Sequence, residues 1–205
     1  MNTEKIAILG AQGELGRRLL DEALNRGHKV TAIVQDAGLV HVKDSNLKVT
    51  EGNYFDKHVV SESVEGHDVV ISAHVPTRVD SKNHVLATEA AVEGTKQAGV
   101  KRLIALGHPQ EVLNTPEYHE SWKPVIEAQY ETLKRLQQEK ELNWSYAHTA
   151  ELEPEKTSGK FRVSNLILLT NSDGGSKVPV KGYAPALLDE AEKSEYVWEE
   201  SGVDI

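Results

Sequence analysis

Short apolar runs alternate with longer amphipathic stretches along most of the chain. Six of these runs are rich in β-branched and aliphatic residues, which is typical of buried β-strands. They cover residues 6–9, 30–34, 47–50, 69–72, 103–106 and 144–147. An alternation of strands with helical stretches indicates a parallel sheet whose two faces are covered by helices. We therefore predict an α/β fold with a doubly wound parallel sheet flanked by helices.

The stretches between these runs carry apolar residues at helical spacing. We predict helices over residues 15–27, 86–98, 125–140 and 185–193. Gly27 and Gly99 stand where the first two should end, because glycine readily adopts the conformation that terminates a helix. Pro185 should lie in the first turn of the last helix, where an amide hydrogen is not needed. The link around Gly38 is expected to be a loop or a short helix.

The pattern changes after residue 150. Pro154, Gly159 and a turn-like run at residues 171–175 interrupt the alternation before the last helix. We expect this part to form a short C-terminal extension on the substrate side. Repeats, low-complexity segments and flexible linkers are absent from the sequence, so we predict one nucleotide-binding domain over residues 1–205.

Charge and composition narrow the classes of partner. The chain has 32 acidic and 23 basic residues, a formal net charge of −9 and no cysteine. Such a charge repels nucleic acid and anionic membranes, so we expect neither as a partner. Without cysteine, thiolate catalysis and thiolate metal sites are excluded. The opening apolar run is too short for a signal peptide, and we expect a cytoplasmic protein.

A glycine-rich loop follows the first predicted strand and opens the first predicted helix. Gly10 permits a tight turn, Gly13 lets the backbone approach a diphosphate, and Gly16 allows the helix to pack closely on the strand. The free amides and positive end of the helix then attract phosphate. In this context the pattern predicts a Rossmann-like domain that binds NAD or NADP.

The end of the second strand should lie beside the adenosine ribose. Asp36 follows that strand, and a carboxylate there favours NAD, whereas an arginine would favour NADP. Arg17 and Arg18, in the first helix, could instead reach the phosphates or simply remain solvated. The sequence leaves the choice between NAD and NADP open.

The glycine spacing resembles that of atypical short-chain dehydrogenase/reductase proteins, namely the NADH-flavin reductase, biliverdin reductase B and NmrA-like group. Further segments that are similar to this family are residues 25–34 (NRGHKVTAIV), 66–73 (GHDVVISA), 142–144 (LNW), 157–162 (TSGKFR) and 183–190 (YAPALLDE). The resemblance spans nearly the whole chain. It is specific for the fold and the nucleotide site, and less so for the reaction.

The resemblance implies cofactor contacts along the ends of several strands. They fall on Gly10, Gln12, Gly13, Glu14, Leu15, Gln35, Asn53, Tyr54, Ser72, Ala73, His74 and Gly107. The glycine spacing and the end of the second strand add Gly16 and Asp36 to these candidate cofactor residues. Asn53 and Tyr54 would lie beside the adenine, and the segment from Ser72 to His74 would lie under the diphosphate and nicotinamide ribose. Gln35 replaces the family's usual arginine, and the bulky run from residue 107 to 111 (GHPQE) replaces a stretch of small residues. The first departure leaves the nucleotide preference open, and the second predicts a changed substrate pocket.

Candidate catalytic residues are less clearly marked. Tyr130 and Lys134 match the Tyr-x-x-x-Lys pair with which many short-chain dehydrogenases protonate a carbonyl, although they lie about five residues later than that pair usually does. His108 and His148 should follow the fifth and sixth strands, where ligands bind in open α/β sheets. Each of these residues could equally be an ordinary helix or loop residue. The histidine spacings predict no metal site.

Three functions fit these features. The first is an NAD(P)H-dependent reductase that passes hydride to a flavin or similar planar acceptor, for which no acid or base is strictly required. The second is a non-catalytic NAD(P) sensor of the NmrA-like kind. The third is a sugar-nucleotide epimerase or dehydratase that would use Tyr130 and Lys134. The expected partner is a small-molecule acceptor, and the chain is expected to be a monomer or a homodimer.

Overall fold

A six-stranded parallel sheet forms the centre of the computed structural model, which describes residues 3–75, 80–107, 123–148, 151–153 and 177–194. Its strands are β1 (Lys5–Leu9), β2 (Lys29–Val34), β3 (Leu47–Glu51), β4 (Val69–Ser72), β5 (Arg102–Gly107) and β6 (Asn143–His148). The order across the sheet is β3-β2-β1-β4-β5-β6. All six predicted strands, and the doubly wound Rossmann-like fold, are confirmed.

The strand order reverses between β1 and β4, which are paired neighbours. Chain leaving β1 turns toward β2 on one side, and chain leaving β4 turns toward β5 on the other. This reversal opens a crevice beyond the carboxyl ends of the two strands, which is where open α/β sheets bind ligands.

Helices cover both faces of the sheet. They are α1 (Glu14–Asn25), α2 (Lys57–Val64), α3 (Ser81–Gln97), α4 (Lys123–Gln137) and α5 (Val180–Lys193), with a 3-10 turn at Ala37–Leu39. Two short strands, β7 (Glu151–Glu153) and β8 (Lys177–Pro179), pair with each other outside the main sheet. None of the described helices is both long and apolar enough to cross a membrane.

The apolar core is divided between the two faces. Alternate residues of β1 enter different cores: Ile6 and Ile8 pack with α1 and α5, whereas Ala7 and Leu9 pack with α2, α3 and α4. Strands buried on both faces explain why the sequence shows continuous apolar runs instead of alternating ones.

The helix α2 was not predicted from the sequence. Its buried residues are Val60, Ser63 and Val64, so only two apolar side chains mark the buried face of this helix in the sequence. Its start is fixed by a side-chain cap, since the Asp56 carboxylate accepts a hydrogen bond from the His58 amide at 2.8 Å. The helix therefore depends on capping and tertiary packing more than on periodicity.

Two predicted helices have different ends in the structure. The helix α3 begins at Ser81, five residues before the predicted start, because its first turn buries the polar residues Ser81 and His84. The helix α4 ends at Gln137 instead of residue 140. There the Glu139 carboxylate accepts hydrogen bonds from the amides of Lys140 and Glu141, at 2.9 and 2.7 Å, and holds the chain in a turn.

The prediction that Pro185 lies in the first turn of the last helix is wrong. The helix α5 begins at Val180, so Pro185 lies inside it. Tyr183 and Ala184, just before the proline, are buried in the same core as Leu187 and Leu188. Burial of these side chains outweighs the loss of one backbone hydrogen bond at the proline.

Charged side chains tie α5 to the rest of the fold. Arg26, after α1, donates hydrogen bonds to Asp189 at 2.8 Å and to Glu192 at 2.9 Å. Deeper in the protein, Arg102 forms an ion pair with Glu190 and donates a hydrogen bond to the Ser145 hydroxyl at 2.8 Å. Arg102, Ser145 and Glu190 are all buried, so this network joins α5 to β5 and β6 in a low-dielectric setting.

We expect Glu190→Gln to lower the free energy of unfolding by about 3–5 kcal/mol, because it removes the charge of the carboxylate that forms an ion pair with the buried Arg102 guanidinium. The control is Asp189→Asn on the same helix, whose half-exposed ion pair should contribute less than about 1 kcal/mol. Urea unfolding of both variants measures the difference. Equal effects of the two substitutions would contradict the assignment.

Candidate functional site

The glycine loop lies at the crevice between the ends of β1 and β4. Gly10 has φ +78°, a conformation that side-chain-bearing residues rarely adopt. Its amide donates to the Ile33 carbonyl of β2 at 2.9 Å, and its own carbonyl accepts from the Gly13 amide at 3.1 Å. The loop is therefore a fixed turn, held at one end by the sheet and closed by its own backbone.

Gly13 is the N-cap of α1. Its φ of −68° and ψ of 165° are open to any residue, and a Cβ there would meet only the Gly10 carbonyl oxygen, at 3.4 Å. Backbone conformation alone therefore does not require glycine. Glycine does leave the first amides of α1 without a side-chain cap and the surface bare, which suits an anion at the positive end of the helix.

Gly16 is required by packing. A Cβ at this position would lie 2.7 Å from the Ala11 Cα and closer still to the Gly10 carbonyl oxygen. Both are backbone atoms that cannot move aside without changing the loop. The absence of a side chain at Gly16 thus lets α1 start directly against the loop.

Tyr54 forms the wall beneath this loop. It is only 4% exposed, and a Cβ at Gly10 would lie 3.6 Å from both the Tyr54 hydroxyl and the His74 amide nitrogen. The Tyr54 hydroxyl lies 3.4 Å from Nδ1 of His74. Tyr54 therefore links the glycine loop to the segment after β4.

His74 is enclosed by aromatic rings and one carboxylate. Its ring packs edge-on against Phe55 and stacks on His84, with centroid distances of 5.4 and 6.1 Å. The Nε2 atom is buried without a hydrogen-bond partner among the described residues, and the Asp80 carboxylate is 4.0 Å away. Burial lowers the pKa of His74, and Asp80 offsets this only in part.

Burial also raises the pKa of Tyr54, while its hydrogen bond with Gln12 acts in the opposite direction. Tyr54 and His74 are consequently both uncharged near neutral pH. The pair therefore adds no charge beside the glycine loop.

Polar side chains mark the ends of β2 and β3. Gln35 and Asp36 are exposed directly after β2, and the Asp36 carboxylate caps the 3-10 turn by accepting from the Gly38 amide at 2.8 Å. Asn53 is also exposed, and its side-chain oxygen accepts from the Phe55 amide at 3.1 Å. Tyr54, next to it, is buried under the glycine loop.

The remaining predicted cofactor positions lie along the same edge. Glu14 and Leu15 begin α1, with Glu14 exposed and Leu15 in the core. Ser72 is buried at the end of β4, and the Ala73 amide donates to the Leu9 carbonyl at 2.9 Å. These backbone contacts hold the end of β4 beside the loop.

Gly107 ends β5, and the side chain of Tyr146 lies directly against it. A Cβ at Gly107 would overlap the Tyr146 ring, so glycine makes room for the buried Tyr146 side chain. His148 is paired through its backbone with Gly107 at the end of β6. The predicted catalytic residue His108 lies outside the described residues, as does the side chain of His148.

Tyr130 and Lys134 lie on the exposed face of α4. Tyr130 is 60% exposed, and Lys134 is exposed one turn later. The face of α4 that packs against the protein consists instead of Val125, Ala128, Gln129, Thr132, Leu133 and Leu136. The structure thus brings neither residue of the Tyr-x-x-x-Lys pair into the core-facing side of its helix.

Four residues at this edge were not singled out from the sequence. Phe55, Asp80 and His84 surround His74, and no local motif marks them, because Phe55 follows β3 whereas Asp80 and His84 lie at the start of α3. Glu51 ends β3 and accepts a hydrogen bond from the Ala37 amide at 2.8 Å. Its position could have been inferred, since β3 is next to β2 in the order expected for this fold.

Similarity to known proteins identifies the family of this chain. The sequence matches the NAD(P)H-binding family over residues 10–192. The chain belongs to this NAD(P)H-binding family. The matched range begins at the first glycine of the loop and ends in α5, so it includes the whole crevice.

Individual relatives agree with this assignment. The uncharacterized protein YwnB of Bacillus subtilis is 31% identical over 204 residues, which cover 94% of each chain. A proposed epimerase from Bacteroides thetaiotaomicron has a solved structure with a TM-score of 0.85, 30% identity, and coverage of 97% of this chain and 95% of that one. A proposed NADH-flavin reductase from Streptococcus pneumoniae has a TM-score of 0.74, 26% identity and 96% coverage of both chains.

The resemblance to atypical short-chain dehydrogenase/reductase proteins is therefore confirmed. The chain is an NAD(P)H-binding protein of an oxidoreductase-like family, with a nicotinamide cofactor. The roles of the individual site residues remain predictions, which substitutions can test.

We expect Gly13→Ala and Gly16→Ala to differ. Gly16→Ala should lower the free energy of unfolding by about 1–3 kcal/mol, because the methyl group collides with backbone, and it should abolish nucleotide binding. Gly13→Ala should leave stability nearly unchanged yet weaken NADH binding by about tenfold or more. Thermal unfolding and calorimetry measure the two effects. Unchanged NADH affinity in Gly13→Ala would argue against diphosphate binding at this loop.

We expect His74 to titrate below the value of about 6.5 that is usual for an exposed histidine. Since the folded state then binds fewer protons than the unfolded state, His74 should reduce stability as pH falls below 6.5. Asp80→Asn should lower the His74 pKa further. Proton NMR titration, with His74→Asn for assignment, tests both statements, and a pKa at or above 6.5 in the wild type would refute them.

Proposed function

We propose that the protein is an NAD(P)H-dependent reductase that transfers hydride to a flavin or a similar planar small molecule. The observation that carries the proposal is the uncapped start of α1, bare at Gly13, at the reversal point of the sheet. The Streptococcus pneumoniae relative, itself a proposed NADH-flavin reductase, supports the choice of acceptor because the two chains match over almost their full lengths.

The crevice residues fit a dinucleotide. The amides that begin α1 would bind its diphosphate, and the polar ends of β2 and β3 would bind the adenosine half. Ser72, Ala73, His74 and Gly107 would line the nicotinamide half. When bound, the reduced nicotinamide supplies a hydride to the acceptor.

The protein's own task in such a reaction is orientation. Direct transfer between stacked rings requires the two partners to be held close and parallel, and it needs no protein acid or base. Tyr54 and His74, uncharged and buried, would hold the glycine loop and the end of β4 in a fixed relation. This role needs rigid packing, which their aromatic neighbours supply.

Stopped-flow oxidation of NADH and NADPH with FMN, FAD and small quinones tests the proposal directly. We expect at least one flavin or quinone to be reduced in repeated turnovers, with reduced nucleotide consumed in equal amount. Tight nucleotide binding without turnover of any acceptor would contradict the reductase and favour the NAD(P) sensor.

A substitution separates the reductase from the epimerase or dehydratase alternative. Since Tyr130 is 60% exposed on α4, Tyr130→Phe should change kcat/KM by less than about twofold. If Tyr130 were a catalytic proton donor, the same substitution would lower kcat/KM by about 100-fold or more. Steady-state kinetics with the best acceptor decide between these results, and Lys134→Met provides a second variant of the same pair.

A further inference from the structure

The edge of the sheet where an adenosine ribose would lie carries two carboxylates. Asp36 comes two residues after β2, and Glu51 is the last residue of β3. The parallel register pairs Val34 with Glu51, so Glu51 lies beside the end of β2. The register thus brings the two acids, fifteen residues apart in the chain, to one place.

Both carboxylates bind the same short turn. The Glu51 carboxylate accepts from the Ala37 amide and the Asp36 carboxylate accepts from the Gly38 amide, each at 2.8 Å. Ala37 and Gly38 begin the 3-10 turn, where the amides have no partner within the turn itself. Two successive donors that could otherwise bind an anion are therefore already occupied by the protein.

We propose that Glu51, together with Asp36, selects NAD(H) against NADP(H). The two nucleotides differ by a phosphate on the adenosine ribose, and in this fold that group lies at the end of β2. A phosphate there would meet two negative charges and would find the amides of Ala37 and Gly38 engaged. A ribose hydroxyl carries no charge and can donate a hydrogen bond to a carboxylate. The inference rests on the proposed function only in that a pyridine nucleotide occupies the crevice.

Nearby side chains add to this discrimination. Gln35, exposed between β2 and Asp36, is neutral and cannot neutralise a phosphate. Arg18 on α1 is paired with Glu14 at 3.7 Å. Arg17 is exposed on the same helix and is the basic residue that could oppose the proposal, so its substitution belongs in the test.

Glu51→Gln provides the sharpest variant. The glutamine oxygen can still accept from the Ala37 amide, so the turn is retained while one charge is removed. The matched control is Glu65→Gln, which removes an exposed charge just before β4, at the amino ends of the strands and away from the crevice. Dissociation constants for NADH and NADPH, from nucleotide fluorescence in the absence of any acceptor, give the preference.

We expect the wild type to bind NADH at least tenfold more tightly than NADPH. Glu51→Gln should strengthen NADPH binding by about threefold or more and leave NADH binding within twofold, and Glu65→Gln should change neither. Because the discrimination is electrostatic, the wild-type preference should shrink between low and high salt. Arg17→Gln should leave the order of the two nucleotides unchanged.

Several results would overturn the inference. They are equal or tighter binding of NADPH by the wild type, the same effect of Glu51→Gln on both nucleotides, or an equal effect of Glu65→Gln. A clear NADH preference without turnover of any acceptor would leave the inference standing and reject the reductase. Turnover without a nucleotide preference would support the reductase and reject the inference. Failure to bind either nucleotide would reject both the reductase and the inference.

Discussion

The close approach of α1 to the loop after β1 is the constraint on which the candidate site depends. Because Gly16 has no side chain, the helix begins against the backbone of Gly10 and Ala11. The helix start is thereby aimed at the point where the strand order reverses. Gly10 and Gly13 then have separate tasks: the first makes the turn, with φ +78°, and the second keeps the helix end bare. The packing of one helix on one strand thus sets the position of the proposed phosphate site.

The amino and carboxyl ends of the parallel strands carry different kinds of contact. At the amino end of β5, Arg102 forms a buried ion pair with Glu190, which joins the last helix to the sheet. At the carboxyl ends of the strands, Tyr54 and His74 link the glycine loop to the segment after β4, and both side chains are uncharged. The buried ion pair thus lies away from the crevice, whereas the glycine loop is held by backbone hydrogen bonds and by the neutral contact between Tyr54 and His74.

Most of the fold could be predicted from the sequence because strands buried on both faces give strong, continuous apolar signals. The glycine loop was also predictable, since Gly10 meets a requirement of backbone geometry and Gly16 a requirement of packing. Helix ends were less accessible: α2 depends on the Asp56 cap, and α5 runs through Pro185 because residues on both sides of it are buried. The surroundings of His74 and the contact from Glu51 to Ala37 could not be read locally, because they join segments that are distant in the chain.

The central claim is that the amides at the start of α1 bind the diphosphate of a pyridine nucleotide. A crystal structure of the protein grown with NADH tests it most directly. The account predicts diphosphate oxygens within hydrogen-bonding distance of the backbone amides between Gln12 and Leu15, with the adenosine directed toward the ends of β2 and β3. Nucleotide bound elsewhere, or a crevice closed to it at saturating NADH, would contradict the claim and leave only the architecture.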